Sequence, residues 1–249
     1  MDEIRHIVHG MHQPWLNGLE LLNDARQNKR MISTGCERID TVLGGGLRAG
    51  FVVELVGPSS SGKTQVCLQA AANIASQHPG GVVFLDTGNS FSPRRIADFI
   101  SQSCRRFRGM EGHRKSLDKV MSNISCIRVF DIFTLLDVLH QLESKLKHEM
   151  ETGGCSVRIL VVDSISSLIT PVLGGGGPNG HALMVSAGVL LKKLAYEYNL
   201  CVLVTNHMVG GDGGHPKPAL GESWKSIPHV RLLLSRDQES NTYSVSKLK

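Results

Sequence analysis

The 249-residue chain contains no C-x-x-C pair: Cys36, Cys67, Cys104, Cys126, Cys155 and Cys201 are scattered, several of them inside apolar runs. That pattern excludes a disulfide framework as the first reading and leaves reduced thiols packed as small hydrophobes. Long hydrophobic runs are missing as well, since no stretch approaches the ~18 apolar residues of a membrane-crossing helix. The opening Met1-Asp2-Glu3 lacks the basic segment followed by an apolar one that marks a secretory leader. A reducing compartment, cytosol or nucleus, is the expectation.

Charge of one sign is in only slight excess. Lys and Arg number 27 against 22 Asp and Glu, so the formal net charge of +5 permits an acidic partner without demanding one. The excess is concentrated between Arg94 and Lys119, where eight basic residues face three acids. Such a run is either a solvated helix face with its loop or a nucleic-acid or protein contact. With 41% hydrophobic and 20% charged residues the chain is not wholly disordered. Its length suits one large α/β domain that buries roughly 70–75% of its unfolded surface.

What the chain does have is Gly57-Pro58-Ser59-Ser60-Ser61-Gly62-Lys63-Thr64, which fills every defined position of G-x-x-x-x-G-K-[ST]. The flanks supply the context this pattern requires: Phe51–Val56 reads as a buried strand and Lys63–Ser76 as a helix. Backbone N–H groups in a glycine-containing turn can approach phosphates closely. The positive end of the following helix and the Lys63 ammonium then add charge, and the Thr64 hydroxyl is placed to coordinate Mg²⁺. The alternative is a glycine-serine connector between two elements.

The rest of the chain alternates in the same manner. Residues 1–30 hold a short helical possibility around Leu16–Ala25, too short and polar for an independent domain, and are expected to be a linker or remnant ahead of a core spanning 31–249. Further strands are predicted at Gly81–Asp86, Ile124–Phe130, Val157–Asp163 and Leu200–Thr205, with helices at Pro93–Phe107 and His181–Tyr198. Ile132, Leu135, Leu136, Leu139, Leu142 and Leu146 share one helical face, which is core. The Val157–Asp163 strand is almost continuously apolar, as a strand buried on both sheet faces should be. Asp163 at its end either holds the Mg²⁺ hydration shell or caps the next helix. Val230–Ser235 and Thr242–Lys247 read as a closing antiparallel hairpin.

The combination of Ile32-Ser33-Thr34-Gly35, the phosphate loop, Leu85-Asp86-Thr87-Gly88 and Thr205-Asn206-His207 resembles the RecA/RadA-type recombinase ATPases. Gly62–Cys67, Phe130–Phe133 and Pro218–Trp224 make it similar to the D-type paralogues of the eukaryotic recombinase. The resemblance runs from about Met31 to Lys249. It implies an α/β, RecA-like P-loop ATPase core with a mostly parallel central sheet, flanked by helices and ending in an antiparallel hairpin.

The resemblance also implies roles for residues. Gly57, Pro58, Ser59, Ser60, Ser61, Gly62, Lys63 and Thr64 would bind ATP, with Thr64 and Asp163 at Mg²⁺. Arg95 would pack on the adenine, its alternative being a solvent-facing arginine. His207 occupies the place of a γ-phosphate sensor, and the alternative is a structural histidine. Two glycine-rich segments, Leu173–Asn179 and Met208–Lys217, match loops that face DNA. Gly174, Gly175, Gly176, Gly177, Asn179, Gly210, Gly211 and Lys217 are the candidate contacts, although few aromatics are present there for base stacking. On chemistry alone these segments suit partnerless loops equally well.

One departure matters most. Family members that hydrolyse ATP briskly carry a glutamate after the Asp-Thr pair, and this chain has Gly88. A positioned base is worth typically ~10²–10⁴ in rate, so hydrolysis is expected to be slow while binding survives. Asp86 points differently from a strand end, so no side chain is assigned as the base. The helical N-terminal domain of relatives is absent or reduced to residues 1–30, and relatives continue beyond Lys249, which fits a short isoform or a fragment. The implied function is that of an ATP-binding accessory subunit, associated with single-stranded DNA and other recombinase paralogues in homologous recombination and repair, in the nucleus. A self-assembling strand-exchange recombinase and a P-loop small-molecule kinase are the alternatives.

Overall fold

The structure, a computed structural model, describes residues 17–27, 31–78, 81–104, 113–153, 157–174, 178–211, 216–237 and 239–248. Two units separate, Met1–Arg30 and Met31–Lys249. In the first, the helix α1 (Gly18–Gln27) is opened by the Asn17 side chain, which accepts from the backbone N–H groups of Leu19 and Glu20. The predicted start of this helix at Leu16 lies outside the described residues.

The second unit is organised by a seven-stranded sheet of order β11-β10-β3-β7-β6-β4-β5. Its members are β3 (Val52–Val56), β4 (Val82–Asp86), β5 (Ile124–Arg128), β6 (Ile159–Asp163), β7 (Cys201–Asn206), β10 (Val230–Arg236) and β11 (Tyr243–Lys247). All neighbours are parallel except β10 and β11, so the predicted closing hairpin is present and its first strand also extends the parallel sheet beside β3. Short pieces complete the strands among the described residues: β1 (Met31–Ile32) with β2 (Leu47–Arg48), and β8 (Met208–Val209) with β9 (Lys217–Pro218).

The strands alternate their side chains between two cores, one per sheet face. Val53, Leu55, Phe84 and Val161 pack with Leu68, Ala71 and Ile74 of α3 (Lys63–Gln77) and Ile96 of α4 (Pro93–Cys104). Val52, Leu85, Val162 and Val204 pack on the other face. There they meet Leu135 and Leu139 of α6 (Ile132–Glu151), Ile169 of α7 (Ile165–Leu173) and Leu191 of α8 (Pro178–Glu197). Every residue of β3, β4, β6 and β7 is buried, which is why those strands read as apolar runs.

Several boundaries differ from the sequence reading. The second half of the basic run forms a helix, α5 (His113–Ser122), on which Leu117, Val120 and Met121 reach the core. The predicted end of the preceding helix, at residues 105–107, lies outside the described residues. Pro171 lies inside α7, whose buried Ile165, Leu168 and Ile169 outweigh the proline's missing N–H. Helix α8 starts at Pro178, three residues early, because proline suits a first helical position. Two short helices, α2 (Glu37–Leu43) and α9 (Gly221–Lys225), flank the sheet.

Candidate functional site

The sheet order sends the chain from β3 through α3 to β4, three positions away, so β3 and β4 diverge around β7 and β6. Such a crossover opens a crevice at the carboxyl ends of the strands, where α/β sheets bind ligands. Four segments meet there: the Gly57–Thr64 loop after β3, Asp86 ending β4, Asp163 ending β6, and Asn206 ending β7 with His207 just beyond it.

The loop is shaped by its glycines. A Cβ on Gly57 would stand 2.3 Å from the Leu234 carbonyl oxygen and 2.5 Å from Ser61 Oγ, so no side chain fits. Gly62 caps α3 with φ +93°, a conformation that other residues resist. Lys63 is buried, and its Nζ donates to the carbonyls of Gly57 at 2.7 Å and Pro58 at 2.8 Å. Burial lowers its pKa, while Asp163 and then Cys67 pull it back up. Ser61 Oγ is buried without a hydrogen-bond partner. An ammonium resting on its own loop's carbonyls and an unpartnered buried hydroxyl fit a cradle made for an anion with several oxygens.

Asp163 is nearly inaccessible. Its carboxylate accepts from Thr205 Oγ1 at 2.5 Å and from Ser90 Oγ at 3.2 Å. The alternative role as a helix cap falls away, because the cap of α7 is Ser164, whose side chain accepts from the Ser167 N–H. Thr64, in the first turn of α3, is half-buried. Among the described residues no group of three or more His, Cys, Asp or Glu gathers to hold a metal. A hydroxyl and one carboxylate fit Mg²⁺, which keeps waters and takes its remaining ligands from phosphates.

Asp86 is committed elsewhere. Its carboxylate accepts from the N–H groups of Gly88, Ser90 and Phe91, at 3.3, 2.9 and 3.1 Å, and so folds the turn that follows β4. Gly88 sits in that turn with open space about it. His207 donates its backbone N–H to Ser166 Oγ, and its Nε2 lies 3.2 Å from Ser164 Oγ. Burial first, then Lys63, lower its pKa against an opposing pull from Asp163, so the ring is neutral near pH 7. Lys63, Asp163 and His207 therefore share one electrostatic neighbourhood. The structure adds Thr87, Ser90, Ser164 and Ser167, a hydroxyl cluster that sequence reading missed; lone serines and threonines carry no signal of mutual proximity.

Arg95 stands apart from that group. Its Nε donates to Gln65 Oε1 at 2.7 Å, its guanidinium lies over the Phe99 ring, and it lines a cavity with Gly62 and Gln65. Its side chain is 42% exposed, so Arg95 is a partly solvent-facing arginine held beside the loop.

The sequence profile of the Rad51 family matches residues 25–235 of this chain. The chain belongs to the Rad51 family. Within it, "DNA repair protein RAD51 homolog 4" of Bos taurus is 36% identical over 91% of this chain and 68% of its own length. The Mus musculus protein of the same name is 35% identical over 93% of this chain and 69% of its own. "Meiotic recombination protein DMC1/LIM15 homolog" of Homo sapiens is 30% identical over 86% and 61%. The likeness to the homolog 4 proteins places the chain with the D-type paralogues.

In this Rad51-family core, the two segments expected to face DNA are only partly described. Gly174 ends α7 in an ordinary helical conformation, and Asn179 lies in the first turn of α8 rather than in a loop. Gly175, Gly176 and Gly177 lie outside the described residues, as do residues 212–215. Lys217 belongs to β9, paired with Val209, so Gly210 and Gly211 leave a small antiparallel ribbon. Two-residue strands are too short to betray themselves in a sequence.

Proposed function

We propose that this chain is an ATP-binding accessory subunit in homologous recombination and DNA repair. It works in the nucleus, in assembly with other recombinase paralogues on single-stranded DNA, and turns ATP over slowly. The observation that carries this reading is an assembled cradle beside a bare turn. Lys63, Thr64, Asp163 and His207 converge at one crevice, while the adjoining Gly88 presents no side chain. The Gly57–Thr64 loop would hold the phosphates of ATP, and Thr64 and Asp163 would hold Mg²⁺, which would neutralise phosphate charge. The ribbon of β8 and β9 and the segment after α7 meet DNA, Lys217 supplying charge and the glycines close backbone approach.

Assembly is supported by the far edge of the sheet. Among the described residues, strand β5 has β4 on one side only, and Phe130 and Phe133 just beyond it are 64% and 61% exposed. An open strand edge flanked by exposed aromatics is a liability unless a partner covers it. Similarity to proteins named for DNA repair supports the pathway.

Thermal denaturation and phosphate release on one preparation test the proposal. Ligand at 100 times its dissociation constant stabilises a fold by ~2.7 kcal/mol, so saturating Mg-ATP should raise the melting temperature. Lys63→Ala should abolish that rise. No thermal shift in the parent chain, or rapid hydrolysis removed by Lys63→Ala, would overturn the reading.

A further inference from the structure

Two carboxylates end neighbouring strands side by side. Asp86 and Asp163 are register partners on β4 and β6, and both are buried, at 2% and 5% exposure. The Ser90 hydroxyl stands between them, its Oγ 3.3 Å from Asp86 Oδ1 and 3.2 Å from Asp163 Oδ2. A serine hydroxyl has one hydrogen, so it serves one carboxylate at a time.

The two acids differ in what else they receive. Asp86 takes three backbone N–H groups, those of Gly88 and Ser90 on Oδ1 and that of Phe91 on Oδ2. Asp163 takes the Thr205 hydroxyl on Oδ1, and among the described residues Ser90 Oγ is the donor that reaches its Oδ2. The Ser90 hydrogen therefore belongs on Asp163, whose second oxygen would otherwise be buried unpaired. Ser90 is itself fixed from the other side. Asn89 takes φ +55°, a left-handed conformation that asparagine tolerates, and the Ser90 N–H donates to Asp86 Oδ1 at 2.9 Å.

We propose that Ser90 is a positioning residue for Mg²⁺, acting through Asp163. This rests on the nucleotide reading above, in which Thr64 and Asp163 hold the cation. With Thr205 on one oxygen and Ser90 on the other, the carboxylate is pinned against rotation and its remaining lone pairs are left for the metal. The same hydroxyl ties that carboxylate to the turn carrying Gly88, because Asp86 anchors Ser90 in the turn.

Calorimetric titration of the full chain with ATP, in excess Mg²⁺ and again in EDTA, tests the assignment. Ser90→Ala should weaken ATP about 10- to 100-fold in Mg²⁺, the usual worth of a hydrogen-bond partner to a metal-holding group. It should leave metal-free ATP affinity unchanged, which also shows that the variant is folded. Ser90→Thr keeps the hydroxyl and should bind as the parent does. Equal losses with and without Mg²⁺ in Ser90→Ala, no loss in Mg²⁺, or a loss in Ser90→Thr as large as in Ser90→Ala, would overturn the inference. Failure of the underlying reading looks different and removes the inference with it: the parent chain then binds ATP in neither buffer, or equally well in both.

Discussion

Replacing Gly88 with glutamate should accelerate ATP hydrolysis by ~10²–10⁴-fold, the usual worth of a positioned general base. That range corresponds to a barrier lower by about 3–5 kcal/mol. The structure has room for the change. A Cβ at residue 88 meets no atom within 4 Å, and the backbone there is not in the left-handed region. The residue's N–H donates to Asp86 Oδ1 at 3.3 Å, a bond that any residue except proline preserves. Removing a glycine also restricts the unfolded chain, so the substitution should not cost stability. Phosphate release with saturating Mg-ATP and single-stranded DNA measures the rate, and calorimetry measures affinity, which should not change. Gly88→Gln, which has the same shape without a proton-accepting carboxylate, should give no acceleration. A Gly88→Glu protein that binds ATP normally yet hydrolyses it at the parent rate would refute the idea that this turn is where a water-activating base is missing.

Two further outcomes follow from buried charge. Glu54 is fully buried in β3 and accepts from Asn206 Nδ2 at 2.8 Å, Trp224 Nε1 at 2.7 Å and Arg231 Nε. Arg231→Met leaves its carboxylate short of the full positive charge that pairs with it, and should cost about 3–5 kcal/mol in urea denaturation. A loss under about 1 kcal/mol would show that the two neutral donors suffice. His207 titrates below its ordinary value of 6.5 through burial and Lys63. The unfolded chain therefore takes up the proton first as pH falls, so this contribution to stability is present above pH 6.5 and declines below it. His207→Gln should flatten the fall in stability below pH 6.5, and an unchanged pH profile would show that the ring's environment is not what the structure describes.

The sheet and the cradle were legible because their chemistry is local. Phe51–Val56, Gly81–Asp86 and Val157–Asp163 are apolar runs ending at glycine or a carboxylate, and burial on both faces imposes that composition wherever the strand lies. The loop is read from eight consecutive residues. Helix α5 was concealed by its charges, although Leu117, Val120 and Met121 fall at helical spacing. The ribbon of β8 and β9 left no trace, since two residues show no alternation.

The hardest feature to read was Glu54, which as a charge in the middle of a buried strand contradicts the pattern around it. Its donors come from positions 206, 224 and 231, so only the closed fold reveals that the charge is satisfied. Its placement also has a consequence for the site. Asn206 ends β7 immediately before His207, its Nδ2 donates again to the Ala219 carbonyl just beyond β9, and Trp224 lies in α9 a few residues later. Both ends of the 207–218 segment are therefore tied to β3 at Glu54, three residues before Gly57 of the cradle. A buried carboxylate in that position is costly unless all its partners hold, so the segment proposed to meet DNA is anchored at its roots by the strand that positions the phosphate loop.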